Sequence, residues 1–281
     1  GYLPDFASGE LWRFSLRTHR WKRLRADNWP QGKYRRLIHD PSRNLLRTYW
    51  DGGGQVYTIP DTGGTWSPEG GAANNDTHYE AYAFMNPLTS QLMLFGGYGF
   101  STFRDDLQAW DGTAWALVGQ SAARPEARFG TGTGSVAVDA AGGRAFMGQR
   151  HQGIQPGNYD DLWMLRLSDY VWTNLIPATT DSTARLLSAM AYAPHSRRLY
   201  RFGGCLPIND PGFCSSYSGE TRIANPAAAR VRWETLRDGA RSPSPRALAG
   251  LFFDPVRLRL VLVSGHGADG WQDDVWVRTL P

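Results

Sequence analysis

The amino-acid sequence predicts an all-β protein that repeats one unit of antiparallel strands. Short apolar runs rich in β-branched and aromatic residues recur along the chain, and they are too short to be helices. Most of the runs that close a hairpin end in glycine. A tryptophan recurs at intervals of 45, 49, 57 and 61 residues, at Trp21, Trp66, Trp115, Trp172 and Trp233. Strands of constant length separated by lengthening loops are typical of a repeat architecture.

The first two strands of each unit form a hairpin. Five segments have this pattern: RLIHDPSRNLLRTYWDGG (36–53), YAFMNPLTSQLMLFGG (82–97), SVAVDAAGGRAFMG (135–148), MAYAPHSRRLYRFGG (190–204) and LFFDPVRLRLVLVSG (251–265). Four of them turn at Asp or Asn, and four contain Pro. Asp and Asn side chains accept hydrogen bonds from the turn backbone and Pro fixes φ, so these positions predict tight turns.

A third and a fourth strand complete the unit. The third-strand candidates are LWRFSL (11–16), QVYTIP (55–60), DLQAW (106–110), DLWMLRL (161–167), ETRIA (220–224) and DVWVRTL (274–280). The fourth strand contains the recurring tryptophan, whose ring is expected to lie between neighbouring units. Glycine after the second strand allows an unusual φ or a close backbone approach.

A four-stranded unit of about fifty residues cannot bury both faces alone, so the units must stack, and radial closure protects their edges. The sequence therefore predicts a single β-propeller domain over residues 1–281. We expect five blades, closed by pairing of the N-terminal and C-terminal strands in one blade. Six blades is the alternative, which would need about three further strands.

The repeat resembles the kelch repeat. The motifs that support the resemblance are LMLFGG (92–97), RLYRFGG (198–204), DDLWMLRLSDYVW (160–172) and DDVWV (273–277). Two copies depart from the pattern, with FMGQR and VSG at the position of the glycine doublet, and a less regular bend is expected there. The resemblance implies a scaffold used for protein binding and, in a few family members, for enzymes such as sialic acid mutarotases.

Composition excludes some classes of function. The formal net charge is +4, but the arginines are scattered among acidic residues, so no contiguous basic surface for nucleic acid is expected. No run of residues is long and apolar enough for a membrane helix. Lysine occurs only at Lys22 and Lys33, which favours a GC-rich, bacterial origin. Nothing in the composition conflicts with the chain being one part of a larger modular protein.

The two cysteines, Cys205 and Cys214, lie in one loop, CLPINDPGFC. Its Pro and Gly residues favour a turn that brings the ends together, so we expect a disulfide and a secreted or extracytoplasmic location. Two reduced thiols are the alternative. A zinc site is not expected, because a second pair of ligands is missing.

The candidate site lies at one end of the blades. The start of the first strand and the loop between the second and third strands share this end, which we call the upper face. Arg128, Arg185 and Arg246 each precede a first strand, and the loops contain Tyr98, Phe103, His151, Tyr159, Phe213, Tyr217, His266 and Trp271. These eleven residues are our candidate ligand-binding residues. The arginines have an alternative role, in ion pairs with Asp106, Asp161 and Asp274.

Two functions follow from this pattern. The first is a non-enzymatic binding module whose upper face recognises a protein or glycan partner. The second is a sugar-directed, mutarotase-like enzyme with Arg128, Arg185, Arg246, His151 and His266 at the mouth of the central channel. The sequence assigns no catalytic residue, metal or cofactor, because the histidines are dispersed and lack a metal-ligand spacing. A pocket or a flat patch at the upper face would distinguish the two.

Overall fold

The fold is an all-β propeller of six blades. A computed structural model describes residues 1–5, 8–30, 36–50, 54–70, 78–99, 101–128, 130, 135–150, 159–178, 185–205, 214, 216–236 and 242–280. These residues form 26 strands and no helix. Accordingly, none of the described segments could cross a membrane as an apolar helix.

The strands follow one another in chain order around the ring. Blade 1 contains β1 (Tyr2–Asp5), β2 (Glu10–Ser15) and β3 (Arg20–Leu24), and the short strand β4 (Ala26–Asp27) follows this blade. Blade 2 contains β5 (Ile38–Asp40), β6 (Leu45–Tyr49), β7 (Val56–Pro60) and β9 (Ser67–Glu69). The short strand β8 (Gly64–Thr65) lies between β7 and β9 in the chain. Blade 3 contains β10 (Tyr82–Asn86), β11 (Gln91–Phe95), β12 (Leu107–Trp110) and β13 (Trp115–Leu117). Blade 4 contains β14 (Val136–Asp139), β15 (Arg144–Arg150), β16 (Tyr159–Arg166) and β17 (Val171–Ile176).

Blades 5 and 6 complete the ring. Blade 5 contains β18 (Ala189–Ala193), β19 (Arg198–Phe202), β20 (Thr221–Ala224) and β21 (Glu234–Leu236); blade 6 contains β22 (Gly250–Asp254), β23 (Arg259–Val263) and, after the short hairpin of β24 (His266–Gly267) and β25 (Gly270–Trp271), β26 (Val275–Thr279). All strand pairs within the blades are antiparallel. The short β4 and β8 pair in parallel between blades 1 and 2.

The expected count of five blades is wrong. The N-terminal and C-terminal strands do not pair in one blade, because β2 pairs with β1 while β26 pairs with β23. Each end of the chain therefore builds a blade of its own with three strands. The two blades adjoin where Gly1 lies against the ring of Phe252 in β22.

Register shows which strand each terminal blade lacks. Phe14 in β2 lies opposite Trp21 in β3, as Trp110 in β12 lies opposite Trp115 in β13. Hence β2 and β3 correspond to third and fourth strands, and β1 corresponds to a second strand. Among the described residues, blade 1 has no innermost strand and blade 6 has no outermost strand.

The hairpin turns form as the sequence predicts. The side chain that opens the turn accepts a backbone hydrogen bond two or three residues later at Asp40, Asn86, Asp139 and Asp254. The residue that closes each turn has a positive φ of 51 to 60°, at Asn44, Ser90, Gly143, Arg197 and Leu258. These turns define the face opposite the candidate site.

The core lies between the blades. The tryptophans at the outermost strands pack against the preceding blade: Trp115 contacts Tyr49 of blade 2, and Trp172 contacts Phe95 of blade 3 at 4.7 Å between ring centroids. Trp66 likewise shares an apolar cluster with Leu11 and Leu24 of blade 1. Burial of these rings stabilises the stacking of neighbouring blades.

Candidate functional site

The upper face has a second layer of structure that the sequence did not indicate. Beyond the end of the second strand in blades 3, 5 and 6, the chain continues as a short antiparallel ladder of three segments. The ladders join Tyr79, Tyr98 and Phe103 in blade 3, Leu186, Cys205 and Tyr217 in blade 5, and Ala247, His266 and Trp271 in blade 6. We call these the upper ladders. Five of our candidate residues are members of them.

The blade 3 ladder holds Tyr98 and Phe103 together. The Tyr98 and Tyr79 backbones exchange two hydrogen bonds, of 2.8 and 3.0 Å. The rings of Tyr98 and Phe103 lie 5.1 Å apart between centroids. Tyr98 is 38% exposed, so the pair presents an aromatic surface on a backbone fixed by pairing.

The blade 5 and blade 6 ladders bring three further candidates into one cluster. The Tyr217 hydroxyl lies 2.7 Å from Nδ1 of His266. The His266 ring meets Trp271 edge to face at 5.2 Å between centroids. Trp271 is 69% exposed although its backbone is paired in β25. We call Tyr217, His266 and Trp271 the aromatic trio.

A disulfide lies beside the trio. Cys205 and Cys214 are bonded, with their Cα atoms 5.3 Å apart. Cys205 is fully buried and lies between Leu186 and Tyr217 in the blade 5 ladder. The bridge therefore ties the long loop of blade 5 to the ladder that holds Tyr217.

All three candidate arginines lie in ion pairs, and the side chains of two of them, Arg128 and Arg246, are almost fully buried. Arg128 is 2% exposed and bonds Asp161 at 2.7 Å. Arg246 is 1% exposed and bonds both carboxylate oxygens of Asp274. The hydrogen bond from Arg246 holds the pKa of the Asp274 carboxyl below its usual value. This pair therefore stabilises the fold fully at pH values above the ordinary pKa of a carboxyl group. Its contribution is lost as the pH falls through the lowered pKa of Asp274.

The glycine doublets are hydrogen-bonded to the backbone of Arg128 and Arg246. Gly97 donates a 2.7 Å hydrogen bond to the Arg128 carbonyl, and Gly204 donates a 2.8 Å bond to that of Arg246. Gly96 and Gly203 have φ of 68 and 69°. A Cβ on Gly96 would collide with the Arg128 carbonyl oxygen, and a Cβ on Gly203 would collide with the Arg246 carbonyl oxygen. The doublets are therefore needed for close approach between consecutive blades. Each arginine joins the previous blade through its backbone and its own blade through its side chain.

Arg185 occupies the equivalent position in blade 5. Its guanidinium lies 3.6 Å from Glu220, and its side chain is 12% exposed. Burial, followed by the charge of Arg222, lowers its pKa. Two further arginines neighbour it: Arg222 contacts Glu220 at 3.1 Å, and Arg201 bonds Asp160 of blade 4. Arg185 thus belongs to a network of ion pairs between blades 4 and 5.

His78 is the blade 3 counterpart that the sequence analysis missed. It is 3% exposed, its Nε2 lies 3.4 Å from Asp106, and its Nδ1 lies 2.6 Å from the Gly96 carbonyl. The carboxylate at the start of each of these third strands also accepts a hydrogen bond from the side chain two positions later. The Trp163 indole N–H donates to Asp161, and the Trp276 indole N–H donates to Asp274. Alignment on the acid before each third strand would have indicated His78, whereas a search for arginine could not.

Three candidates remain without a side-chain position. His151 and Phe213 lie outside the described residues. Tyr159 begins β16 opposite Arg150, and its side chain is outside the described part. Within that part, no group of three or more His, Cys, Asp or Glu side chains is arranged to hold a metal ion.

Comparisons with known proteins do not assign a family. No protein-family model matches the chain, and a search of curated proteins finds no significant match. The resemblance to the kelch repeat therefore stays a prediction from the motifs, while the propeller architecture rests on the six observed sheets of three or four strands.

Proposed function

We propose that this protein is a non-enzymatic binding module, a secreted bacterial propeller of the kelch type whose upper face recognises a protein or glycan partner. The observation that supports the proposal best is the exposure of Trp271. The Trp271 ring is 69% exposed, so its burial contributes little to the stability of the fold. Because the backbone of Trp271 is paired, the ring offers a partner a contact surface that is already ordered.

The chemistry of the aromatic trio favours a glycan over a protein. The face of an indole ring carries partial negative charge and attracts the C–H groups of a sugar ring. The Tyr217 hydroxyl and the His266 ring lie next to Trp271 and supply polar atoms at the edge of that surface. A stacked sugar with a few directional hydrogen bonds fits this arrangement of groups.

The enzyme alternative has less support. It requires free arginines at the channel mouth, but Arg128 and Arg246 are buried and bonded to carboxylates. Removing either from its ion pair would leave a buried charge without compensation. No observation on the described residues favours catalysis over binding.

Replacing Trp271 by alanine is expected to weaken partner binding about tenfold or more, equivalent to about 1.4 kcal/mol, since exposed aromatic anchors dominate such interfaces. A glycan array with the purified protein supplies the ligand, and calorimetry compares the two proteins. Val256→Ala, at an 83% exposed hairpin position on the opposite face, is the matched control and should bind as the unmodified protein does.

Three outcomes would contradict the proposal. They are equal affinity of Trp271→Ala, absence of any glycan or protein ligand, and conversion of the bound sugar between anomers, which nuclear magnetic resonance would detect. The last outcome would establish the enzyme alternative. Binding of a protein but no glycan would retain the binding module and correct the class of partner.

Thiol titration tests the proposed location. The denatured protein is expected to show no free thiol before reduction and two after it, since Cys205 and Cys214 are bonded. Such a bridge persists in oxidising compartments, so the result would support export. Two thiols before reduction in protein isolated from its native compartment would contradict a secreted location.

A further inference from the structure

The exposed tryptophan and tyrosine side chains of the described residues all lie at the upper face. They are Trp50, Tyr98 and Trp271, which are exposed by 41%, 38% and 69%. Each lies in the connection between the second and third strands of its blade, in blades 2, 3 and 6. By contrast, five of the six large aliphatic side chains that are exposed lie at hairpin turns of the opposite face or in β13 and β26. Exposure of aromatic rings is therefore a property of the upper face and not of the surface as a whole.

Trp50 is a residue that the sequence analysis missed, because it ends an apolar run that predicts a strand. In the structure β6 ends one residue earlier, and Trp50 opens the loop to β7. Its N–H donates a 2.8 Å hydrogen bond to the Gln55 carbonyl, and its carbonyl accepts a 2.7 Å bond from Gly54. The backbones of Tyr98 and Trp271 are also paired. A ring on a backbone that is already fixed loses less conformational entropy when a ligand covers it.

The three rings lie on both sides of the central channel. Blades 2 and 3 are neighbours, so Trp50 and Tyr98 lie on one side, whereas blade 6 lies opposite blade 3 in a ring of six. Packed sheets are about 10 Å apart, and opposite members of a regular ring of six are twice as far apart as neighbours, so about 20 Å separates blade 3 from blade 6. This separation is several times the width of one sugar ring. A single sugar therefore cannot contact both Tyr98 and Trp271.

We propose that the upper face binds one extended glycan chain that crosses the mouth of the channel, with separate sugar rings on Trp271, Tyr98 and Trp50. This inference rests on the proposed binding of a glycan and names its class, an oligosaccharide or polysaccharide chain instead of a single terminal sugar. The faces of indole and phenol rings attract the C–H groups of a sugar, and a chain repeats such groups along its length. Several weak contacts within one chain give a high affinity through effective concentration.

The separation of the rings favours a chain of sugars over the surface of a protein. A protein interface has a continuous core of buried residues within a polar rim. The three rings lie on blades that are about 10–20 Å apart. Among the described residues, Leu248 is the one large aliphatic side chain that is exposed at this face. The rings therefore form separate contact points and not one contiguous apolar patch.

Calorimetric titration of the whole chain with sugars of two lengths tests the proposal. The probes are the disaccharide and the hexasaccharide of the cello, xylo, malto, laminari and chito series. In at least one series we expect the hexasaccharide to bind about thirtyfold or more tightly than the disaccharide, because only the longer chain can reach across the channel.

Two variants test the rings that lie across the channel from Trp271. Trp50→Ala and Tyr98→Ala are each expected to weaken hexasaccharide binding about fivefold or more, and to leave disaccharide binding on Trp271 unchanged. Tyr98→Phe keeps the ring and should bind the hexasaccharide as the unmodified chain does. Leu117→Ala, at a 72% exposed position of β13 in the same blade as Tyr98, is the matched control and should change neither affinity.

Other results would overturn the inference. Equal affinity for the disaccharide and the hexasaccharide would reject the extended chain and retain the proposed glycan binding at Trp271. Unchanged hexasaccharide binding by Trp50→Ala and Tyr98→Ala would do the same, provided that thermal unfolding shows both variants folded. If no probe binds but a glycan array finds a single terminal sugar, the chain is rejected and the proposed function stands. A protein ligand whose affinity falls in both variants would show that the rings belong to one protein interface instead.

Discussion

Replacing Asp161 by asparagine is expected to lower the free energy of unfolding by about 3–5 kcal/mol, since it removes one partner of a buried ion pair. Asp161 and Arg128 are both almost fully buried, and their charges lie 2.7 Å apart. Asparagine has the same shape but no charge, so the Arg128 guanidinium stays buried without its counter-ion. The Trp163 indole N–H also loses its carboxylate acceptor. Denaturant unfolding followed by tryptophan fluorescence measures the change.

The exposed pair of Arg166 and Asp169 provides the control for this experiment. Their side chains are 54% and 45% exposed, and solvent screens their attraction. Asp169→Asn is expected to leave the unfolding midpoint unchanged. Equal midpoints for Asp161→Asn and the unmodified protein would show that the pair of Asp161 and Arg128 is not structural, and Arg128 would again be a candidate for ligand contact.

Replacing Trp172 by alanine is expected to cost about 3–5 kcal/mol of stability, as is typical for truncating a buried aromatic side chain. The ring is 4% exposed, packs against the Phe95 ring of blade 3 at 4.7 Å between centroids, and donates a 2.9 Å hydrogen bond to Gln120. Its loss would open a cavity between blades 3 and 4 and leave the Gln120 oxygen without this donor. The change is again measured as the free energy of unfolding in denaturant.

Trp271→Ala is the matched control, because the same substitution is made at a tryptophan that is 69% exposed. It is expected to change the unfolding midpoint little while it weakens binding at the upper face. A large loss of stability for Trp271→Ala would mean that the ring is needed for the fold, which would remove the main support for the proposed binding surface. A small loss for Trp172→Ala would mean that blades tolerate cavities between them.

The sequence predicted the repeated unit well. Hairpin turns at Asp40, Asn86 and Asp254 form with the side-chain hydrogen bonds that these residue types favour. The doublets Gly96–Gly97 and Gly203–Gly204 have positive φ, as expected. Four of the five recurring tryptophans, Trp66, Trp115, Trp172 and Trp233, pack between blades, also as expected. These features depend on interactions within one hairpin or between equivalent positions of a repeat, so a pattern of residue types is sufficient to indicate them.

Blade count depended on the tertiary structure. The segment Tyr2–Asp5 is four residues long and contains Pro4, so no alternation of apolar and polar residues marks it as a strand. It becomes one by pairing with Glu10–Ser15, and this pairing excludes the expected joint blade of the two chain ends.

The candidate site, too, was predicted only in part from the sequence. Residue types and blade topology placed Tyr98, Tyr217, His266 and Trp271 at one end of the blades, because antiparallel connections fix the end at which each loop emerges. Only the tertiary structure showed that Tyr217, His266 and Trp271 form one cluster and that Arg128 and Arg246 are buried in ion pairs. Side chains from different blades meet through the packing of those blades, and this packing has no signature in local sequence.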